Sequence, residues 1–163
     1  APTPLQRFLP PLPGEVMIFL PILVQPKSVG SITIDGRNNP VINPCYLSDS
    51  SDLDVLTKSI DFCQQMASSE GLSSLAGDAL LPPKEAYVDY IRNNVSTIWH
   101  PVGTCRLGND PNDSVVDSNL QVHGVPNLHI CDSSTTPYVT AGNNHVPSLV
   151  MAELLSDILL GFS

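Results

Sequence analysis

The pattern of hydrophobic and polar positions predicts short β-strands in the first quarter of the chain. Glu15–Val24 is rich in β-branched and aromatic residues, and Pro21 confines it to a sheet edge or a bulge because proline has no N–H to donate. Val29–Asp35 alternates partially between apolar and polar residues. A turn at Asp35-Gly36 would then let Pro40–Ile42 begin a returning strand.

Apolar residues at helical spacing predict a first helix after these strands. Ser50 and Ser51 are its N-cap candidates, since a hydroxyl there can accept a hydrogen bond from the free N–H groups of the first turn. Gly71 is expected to close the helix. The apolar positions at helical spacing are Leu53, Leu56, Ile60 and Cys63.

Two more helices and one strand are predicted in the second half of the chain. A helix from Pro83 to about Asn93 would place the proline in the first turn, where its missing N–H is tolerated. Residues 101–126 are rich in Gly, Asn, Asp and Pro and predict a long loop. Asn127–Asp132 is expected to be a short buried strand that ends in an acid. Pro147–Leu160 is expected to be a helix with a broad apolar face.

The composition excludes several classes of protein. The chain has 163 residues with 7 Lys+Arg against 16 Asp+Glu, which gives a formal net charge of −9. This acidic balance, without any Lys/Arg cluster, argues against a nucleic-acid partner. The longest apolar run, Val16–Val24, is interrupted by Pro21 and is too short to span a bilayer. Hydrophobic residues make up 42% of the chain and charged residues 14%, so wholesale disorder is not expected.

Other features of the sequence concern its compartment. The four cysteines are spread singly without a CxxC pair, so no metal site is expected and they are interpreted as buried apolar side chains. Two glycosylation sequons, Asn94–Ser96 and Asn112–Ser114, together with the low pI of about 4.5, predict a secreted glycoprotein. Residues 1–14 contain five prolines and predict an extended connection. The cysteines are Cys45, Cys63, Cys105 and Cys131.

No short local motif identifies a chemistry. The sequence has no GxGxxG, no Walker A loop, no GxSxG and no HExxH. Local patterns alone therefore limit the prediction to part of an α/β or α+β protein.

Several short stretches, taken in order, resemble the C-terminal portion of the glucose–methanol–choline (GMC) family of flavin oxidoreductases. Trp99–Gly108 is similar to the family's His-Pro-x-Gly-Thr-x-x-Met-Gly stretch, and Asn127–Ser134 resembles its Asn-Leu-x-Val-x-Asp-Ala-Ser strand. The resemblance covers the chain from about residue 15 to residue 160. The other matching segments are Pro26–Ser31, Asn43–Asp49, Val115–Asp117, Leu120–Val125, and Gly142-Asn143 with Pro147.

The resemblance implies a two-domain fold and an FAD cofactor. Residues 1–98 would belong to a substrate-binding domain with an antiparallel sheet and helices on one side. Residues 99–163 would supply the last strand and helix of the FAD-binding domain. Family members carry their dinucleotide-binding glycines near the N-terminus. The implied partners are therefore the N-terminal FAD-binding portion of the same enzyme and a small-molecule alcohol, with no nucleic acid and no membrane.

The resemblance also implies roles for individual residues. His100 occupies the position of the family's active-site histidine, and Asn143 falls at its second position, where the family has His or Asn. His145 competes with Asn143 for that role, although the family uses its position to present a backbone N–H to the flavin. Asp132 and Ser133 would contact the ribityl–pyrophosphate region of FAD. Asn144 and His145 would face the flavin, while His123 and His129 are interpreted as structural.

The expected reaction is oxidation of an alcohol to a carbonyl, with hydride transfer to flavin N5. His100 would act as the base for the hydroxyl proton, and Asn143 would orient the substrate oxygen by a hydrogen bond. Two alternatives remain open. One is a non-redox flavoprotein lyase of the hydroxynitrile lyase type, and the other is a non-catalytic binding fragment.

Overall fold

The computed structural model describes residues 15–80 and 82–162, which separate into two compact units. The first unit contains residues 15–23 and 46–96, and the second contains residues 24–45 and 97–162. The connection predicted over residues 1–14 lies outside the described residues. The assignment of residues 1–98 to a substrate-binding domain and 99–163 to an FAD-binding domain stays a prediction.

Two helices form the core of the first unit. Helix α1 spans Ser50–Ala67, and helix α2 spans Tyr87–Asn94 after a short 3₁₀ turn at Lys84–Ala86. Their apolar faces meet because Ile60 from α1 packs with Tyr87 and Ile91 from α2. Leu47, Leu53 and Leu56 are partly buried against this cluster. Both predicted helices are confirmed.

The ends of α1 differ from the prediction. Asp49, and neither Ser50 nor Ser51, is the N-cap, and its carboxylate accepts a hydrogen bond from the Ser51 N–H at 2.9 Å. The two serines lie inside the first turn, because the residue before them already supplies the acceptor. The helix ends at Ala67 with Ser68 as C-cap, so Gly71 lies beyond its end.

The strand predicted over Glu15–Val24 is not formed. These residues have no regular secondary structure, and most of their apolar side chains are exposed. A strand with proline at its centre can pair on one side only, so it needs a neighbouring strand in register. None of the described residues pairs with this segment, and the prediction was wrong.

The second unit begins with the predicted hairpin. Strands β1, Ser31–Ile34, and β2, Pro40–Asn43, pair antiparallel with Ile32 opposite Ile42. The Asp35 carboxylate closes the turn by accepting hydrogen bonds from the N–H groups of Arg37 (2.8 Å) and Asn39 (2.9 Å). These charge-stabilising hydrogen bonds lower the pKa of Asp35.

Most of the rest of this unit is irregular backbone packed around three fully buried residues, Val116, Leu120 and Thr135. The loop predicted over residues 101–126 is confirmed, with isolated bridges in place of strands. The buried strand predicted over Asn127–Asp132 is wrong. His129 makes a single bridge to Gln121, and Leu128 is 48% exposed. A lone segment of this length cannot form a buried strand without a sheet beside it.

Helix α3, His145–Leu160, completes the second unit. It begins two residues before the predicted start and ends at Leu160, followed by Gly161 as C-cap, whose φ of +72° suits glycine at a helix C-terminus. None of its side chains is buried within the described residues. The hairpin and the three helices make the chain an α+β structure, as predicted. No helix in the described ranges is both long and apolar enough to cross a membrane.

Candidate active site

His100 follows a sharp change in backbone direction. Trp99 has a φ of +60°, and its N–H donates a hydrogen bond to the Thr97 hydroxyl at 2.9 Å. A positive φ costs a residue with a side chain roughly 1–2 kcal/mol, so bulky residues rarely adopt it. Pro101 then restricts His100 towards an extended conformation. The half-buried imidazole therefore projects from a constrained stretch of chain.

The segment after His100 runs along a second loop, the one that follows Asp132. The N–H of Cys105 donates to the Ser134 carbonyl at 3.0 Å, and the N–H of Leu107 donates to the Thr135 carbonyl at 2.9 Å. Gly103, with a φ of +81°, makes the turn that starts this alignment. The backbone thus fixes the histidine segment against the residues that follow Asp132.

Asp132 organises that second loop. Its Oδ1 accepts a hydrogen bond from the Ser134 N–H at 2.7 Å, so the carboxylate caps the 3₁₀ turn Ser133–Thr135. Its carbonyl accepts a hydrogen bond from the hydroxyl of Thr135 at 2.8 Å, and Thr135 is fully buried. The acid predicted to contact FAD therefore also has a structural task within the chain.

Ser133 connects the loop to the first turn of α3. The Ser133 and Ser148 hydroxyl oxygens are 2.8 Å apart, and Ser148 Oγ donates to the Asn144 carbonyl at 2.8 Å. Because a hydroxyl has one proton, Ser133 is the donor in the bond between the two serines. Asn144 itself is buried, and its Oδ1 lies 3.4 Å from the Thr140 hydroxyl, which donates mainly to the Gly142 carbonyl at 3.0 Å.

Asn143 and His145 lie on either side of the buried Asn144. Asn143 is exposed in the loop, and His145 is exposed as the first residue of α3. Hydrogen bonds thus bring Asp132, Ser133 and Asn144 into one network with the backbone beyond His100. Within the described residues, no side-chain hydrogen bond links His100 or Asn143 to another predicted site residue.

The start of α3 is open to an electron-rich ligand. Its N-cap, Asn144, makes no side-chain hydrogen bond to the helix, and the first turn contains no acidic residue. The first N–H groups of a helix carry partial positive charge and have no partner within the helix. The backbone at His145 and Val146 can therefore act as a donor to an anionic group.

The remaining histidines stabilise loops. His123 Nε2 lies 3.1 Å from the Gly108 carbonyl oxygen and 2.9 Å from the Ser114 hydroxyl. His129 Nδ1 lies 3.2 Å from the Asn119 carbonyl oxygen. These three contacts fit the structural roles predicted for the two histidines.

The cysteines are free thiols and are half-buried, which is less burial than the sequence predicted. Burial raises the pKa of Cys63 and of Cys131, where the nearby Asp132 charge adds a smaller effect, and both therefore favour the unreactive thiol. The described residues contain no cluster of His, Cys, Asp or Glu that could bind a metal ion.

Sequence reasoning missed Ser148 and the constrained Trp99. Ser148 follows Pro147 in what the sequence shows only as the start of a helix, and no motif singles it out. A positive φ at an aromatic residue likewise has no local sequence signal. The nearest available clue is Ser133, which stands where the resembling family stretch has alanine.

Comparison with known proteins identifies the family. The GMC oxidoreductase model matches residues 26–152. An uncharacterized GMC-type oxidoreductase of Mycobacterium tuberculosis is 35% identical over 98% of this chain, which covers 32% of that protein. An alcohol dehydrogenase [acceptor] of Pseudomonas putida is 36% identical over 83% of the chain and 26% of its own length.

A solved structure agrees with this result. The crystal structure of pyridoxine 4-oxidase from Mesorbium loti superimposes with a TM-score of 0.75 at 32% identity, over 82% of this chain and 27% of that one. The chain thus spans about a third or less of the length of these relatives. It belongs to the GMC oxidoreductase family and corresponds to the C-terminal part of its members.

Proposed function

We propose that this chain is the C-terminal part of an FAD-dependent enzyme that oxidises an alcohol to a carbonyl. The observation that carries the proposal is the hydrogen-bonded network that fixes the segment after His100, the Asp132-Ser133 loop and the start of α3 in one unit. Similar proteins are named as an alcohol dehydrogenase and a pyridoxine 4-oxidase, and both names describe oxidation of a CH–OH group.

The residues present suit an FAD cofactor. The uncapped start of α3 offers backbone N–H donors and a positive dipole end, which favour the electron-rich pyrimidine edge of a flavin. We assign cofactor contacts to Asp132, Ser133, Asn144 and His145, with the last three contributing backbone groups. When bound, FAD supplies the hydride acceptor.

His100 is the proposed base. A histidine can accept a proton near neutral pH, and the constrained backbone on both sides of His100 limits the directions in which its ring points. His100 would take the hydroxyl proton of the substrate while the C–H bond breaks. A charged alkoxide would then not have to be stabilised. Fixing the ring in advance removes part of the entropy cost of reaching the reactive geometry.

Asn143 and His145 are rival candidates for the group that orients the substrate oxygen. The sequence assigned the role to Asn143, whose amide can donate a hydrogen bond but cannot titrate. His145 has support of a different kind, because the first residue of a helix is held more precisely than a loop residue. Substituting Asn143 and His145 by alanine one at a time distinguishes the two candidates.

Anaerobic mixing of the flavin-loaded enzyme with a panel of primary and secondary alcohols tests the proposed reaction. Loss of the oxidised flavin absorbance on mixing would support alcohol oxidation. A lyase of the same fold would convert its substrate and leave the flavin spectrum unchanged, which would overturn the proposal. The identity of the alcohol follows from the substrate that reduces the flavin fastest.

We further propose that the enzyme is secreted and glycosylated. Asn94, at the end of α2, and Asn112 are both exposed, as the two sequons require. Their amides make only local hydrogen bonds, to the Tyr90 carbonyl and to the Asp110 carboxylate. Glycopeptide mass spectrometry of the native enzyme would detect the glycans, and unmodified Asn94 and Asn112 would contradict the proposal.

A further inference from the structure

The Ser133–Ser148 hydrogen bond has a place in the proposed function that neither the sequence nor the family match assigns. The two hydroxyl oxygens are 2.8 Å apart although the residues are fifteen positions apart in the chain. Both side chains are half-buried, where competition from water is reduced. In the part of the chain that the structure describes, this side-chain hydrogen bond joins the Asp132 loop directly to α3.

The direction of the bond follows from counting protons. Ser148 donates to the Asn144 carbonyl, which can only accept, so the proton shared between the serines comes from Ser133. The result is a relay from Ser133 through Ser148 to the backbone carbonyl of Asn144, which stands at the N-cap position of α3. Loss of either hydroxyl breaks the path from the loop to the helix start.

The relay also reaches the histidine segment. Ser134 and Thr135, which follow Ser133 directly, accept the backbone hydrogen bonds of Cys105 and Leu107. The start of α3 is therefore connected to the stretch after His100 through two serine hydroxyls and two backbone bonds. Neither backbone bond depends on side-chain identity, which leaves the serine pair as the part of the path that a sequence change can remove.

We propose that Ser148 and Ser133 are positioning residues, which hold the Asn143–His145 segment at a fixed distance from the His100 segment. This inference rests on the proposed function. Neither hydroxyl needs to touch substrate in this role. The family stretch that Asn127–Ser134 resembles has alanine at the position of Ser133, so that stretch does not itself provide this hydroxyl.

The test is a double-mutant cycle in the flavin-loaded enzyme, with flavin reduction measured by anaerobic stopped flow. Ser133→Ala, Ser148→Ala and the double variant should each lower the limiting reduction rate by roughly three- to tenfold, the effect of one neutral hydrogen bond. The double variant should lose no more than a single one, because all three break the same relay. Ser148→Thr should restore the rate, since a threonine hydroxyl in a helix can also bond the carbonyl four residues earlier.

Two controls make the outcome decisive. Ser156→Ala removes an exposed hydroxyl from the same helix and should leave the rate unchanged. His100→Ala, measured in the same series, reports on the proposed function independently of the serines. Unchanged rates in both serine variants, additive losses in the double variant, or a fall in melting temperature alone would each overturn the positioning role while leaving the His100 result standing.

Discussion

The N–H of Cys105 donates a hydrogen bond to the carbonyl of Ser134 at 3.0 Å, across twenty-nine positions of the chain. Cys105 belongs to the stretch that begins at His100, and Ser134 follows the acid that caps its own turn. The contact therefore joins two segments that the sequence matched to the family separately. Both stretches therefore lie in one unit of the structure.

Substitution at Asn143 and His145 separates the two candidates for the orienting group. We expect Asn143→Ala to slow flavin reduction by roughly three- to tenfold, the effect of losing one neutral hydrogen bond to the substrate oxygen. His145→Ala should cost less, because it keeps the backbone N–H that is assigned to the cofactor. The rates are read from the flavin absorbance under anaerobic conditions, and the reverse order would assign the orienting role to the His145 side chain.

Gly30 and Gly36 lie at the two ends of strand β1 and differ in the space around them. A methyl group on Gly30 would meet the Asn43 carbonyl and lie 2.7 Å from Pro44 Cα, whereas one on Gly36 would meet nothing within 4 Å. Gly30→Ala should destabilise the protein by about 1–3 kcal/mol through this overpacking. Thermal unfolding measures the effect, and Gly36→Ala is the matched control. Equal melting temperatures for the two variants would contradict the close approach.

Gly103 is required by its backbone conformation. At a φ of +81°, an added Cβ would meet only ordinary contacts at 3.6 Å from the Thr136 and Pro137 carbonyl oxygens, so the cost is conformational and not steric. Gly103→Ala should destabilise by about 1–2 kcal/mol, the cost of a left-handed residue. Gly71→Ala, with neither a positive φ nor a close neighbour, should be nearly neutral by denaturant unfolding. Similar losses in both variants would argue against the proposed turn.

The hairpin turn should be sensitive to acid. The pKa of Asp35 is lowered by hydrogen bonds from the Asn39 and Arg37 backbone and from the Asn39 side chain. Because the pKa of Asp35 is lower in the folded state, these hydrogen bonds contribute fully to stability above the ordinary pKa of 3.8. Their contribution is lost as the pH falls through the folded-state pKa. NMR shifts of the Arg37 and Asn39 amides should therefore change with a midpoint below the ordinary pKa of 3.8. Asp35→Asn should abolish that transition, and its persistence in the variant would exclude Asp35 as the cause.

The sequence predicts elements whose causes are local. The hairpin depends on the alternation of apolar and polar residues and on the Asp35 turn, and α1 and α2 depend on the spacing of their apolar residues. Each of these patterns lies within the element that it predicts. The strands predicted at Glu15–Val24 and Asn127–Asp132 fail for the opposite reason, because a strand is stable only when a partner supplies hydrogen bonds.

The candidate site also combines local and long-range causes. His100, Asp132 and the start of α3 are predicted from short stretches that keep the family's order. Ser148 is not predicted that way, because its proposed role depends on a contact with Ser133 and not on its neighbours along the chain. The positive φ of Trp99 could not be predicted from the sequence either, since an aromatic residue gives no local reason for a positive φ.

The most direct test of the account is the rate of flavin reduction by alcohol in His100→Ala, measured anaerobically on enzyme that still contains FAD. Removing the base should slow reduction by about 10²- to 10⁴-fold. His129→Gln, at a histidine that bonds only a loop carbonyl in the same unit, should reduce its flavin at the rate of the unmodified enzyme. A His100→Ala enzyme that reduces its flavin almost as fast as this control would remove His100 from the mechanism and contradict the account.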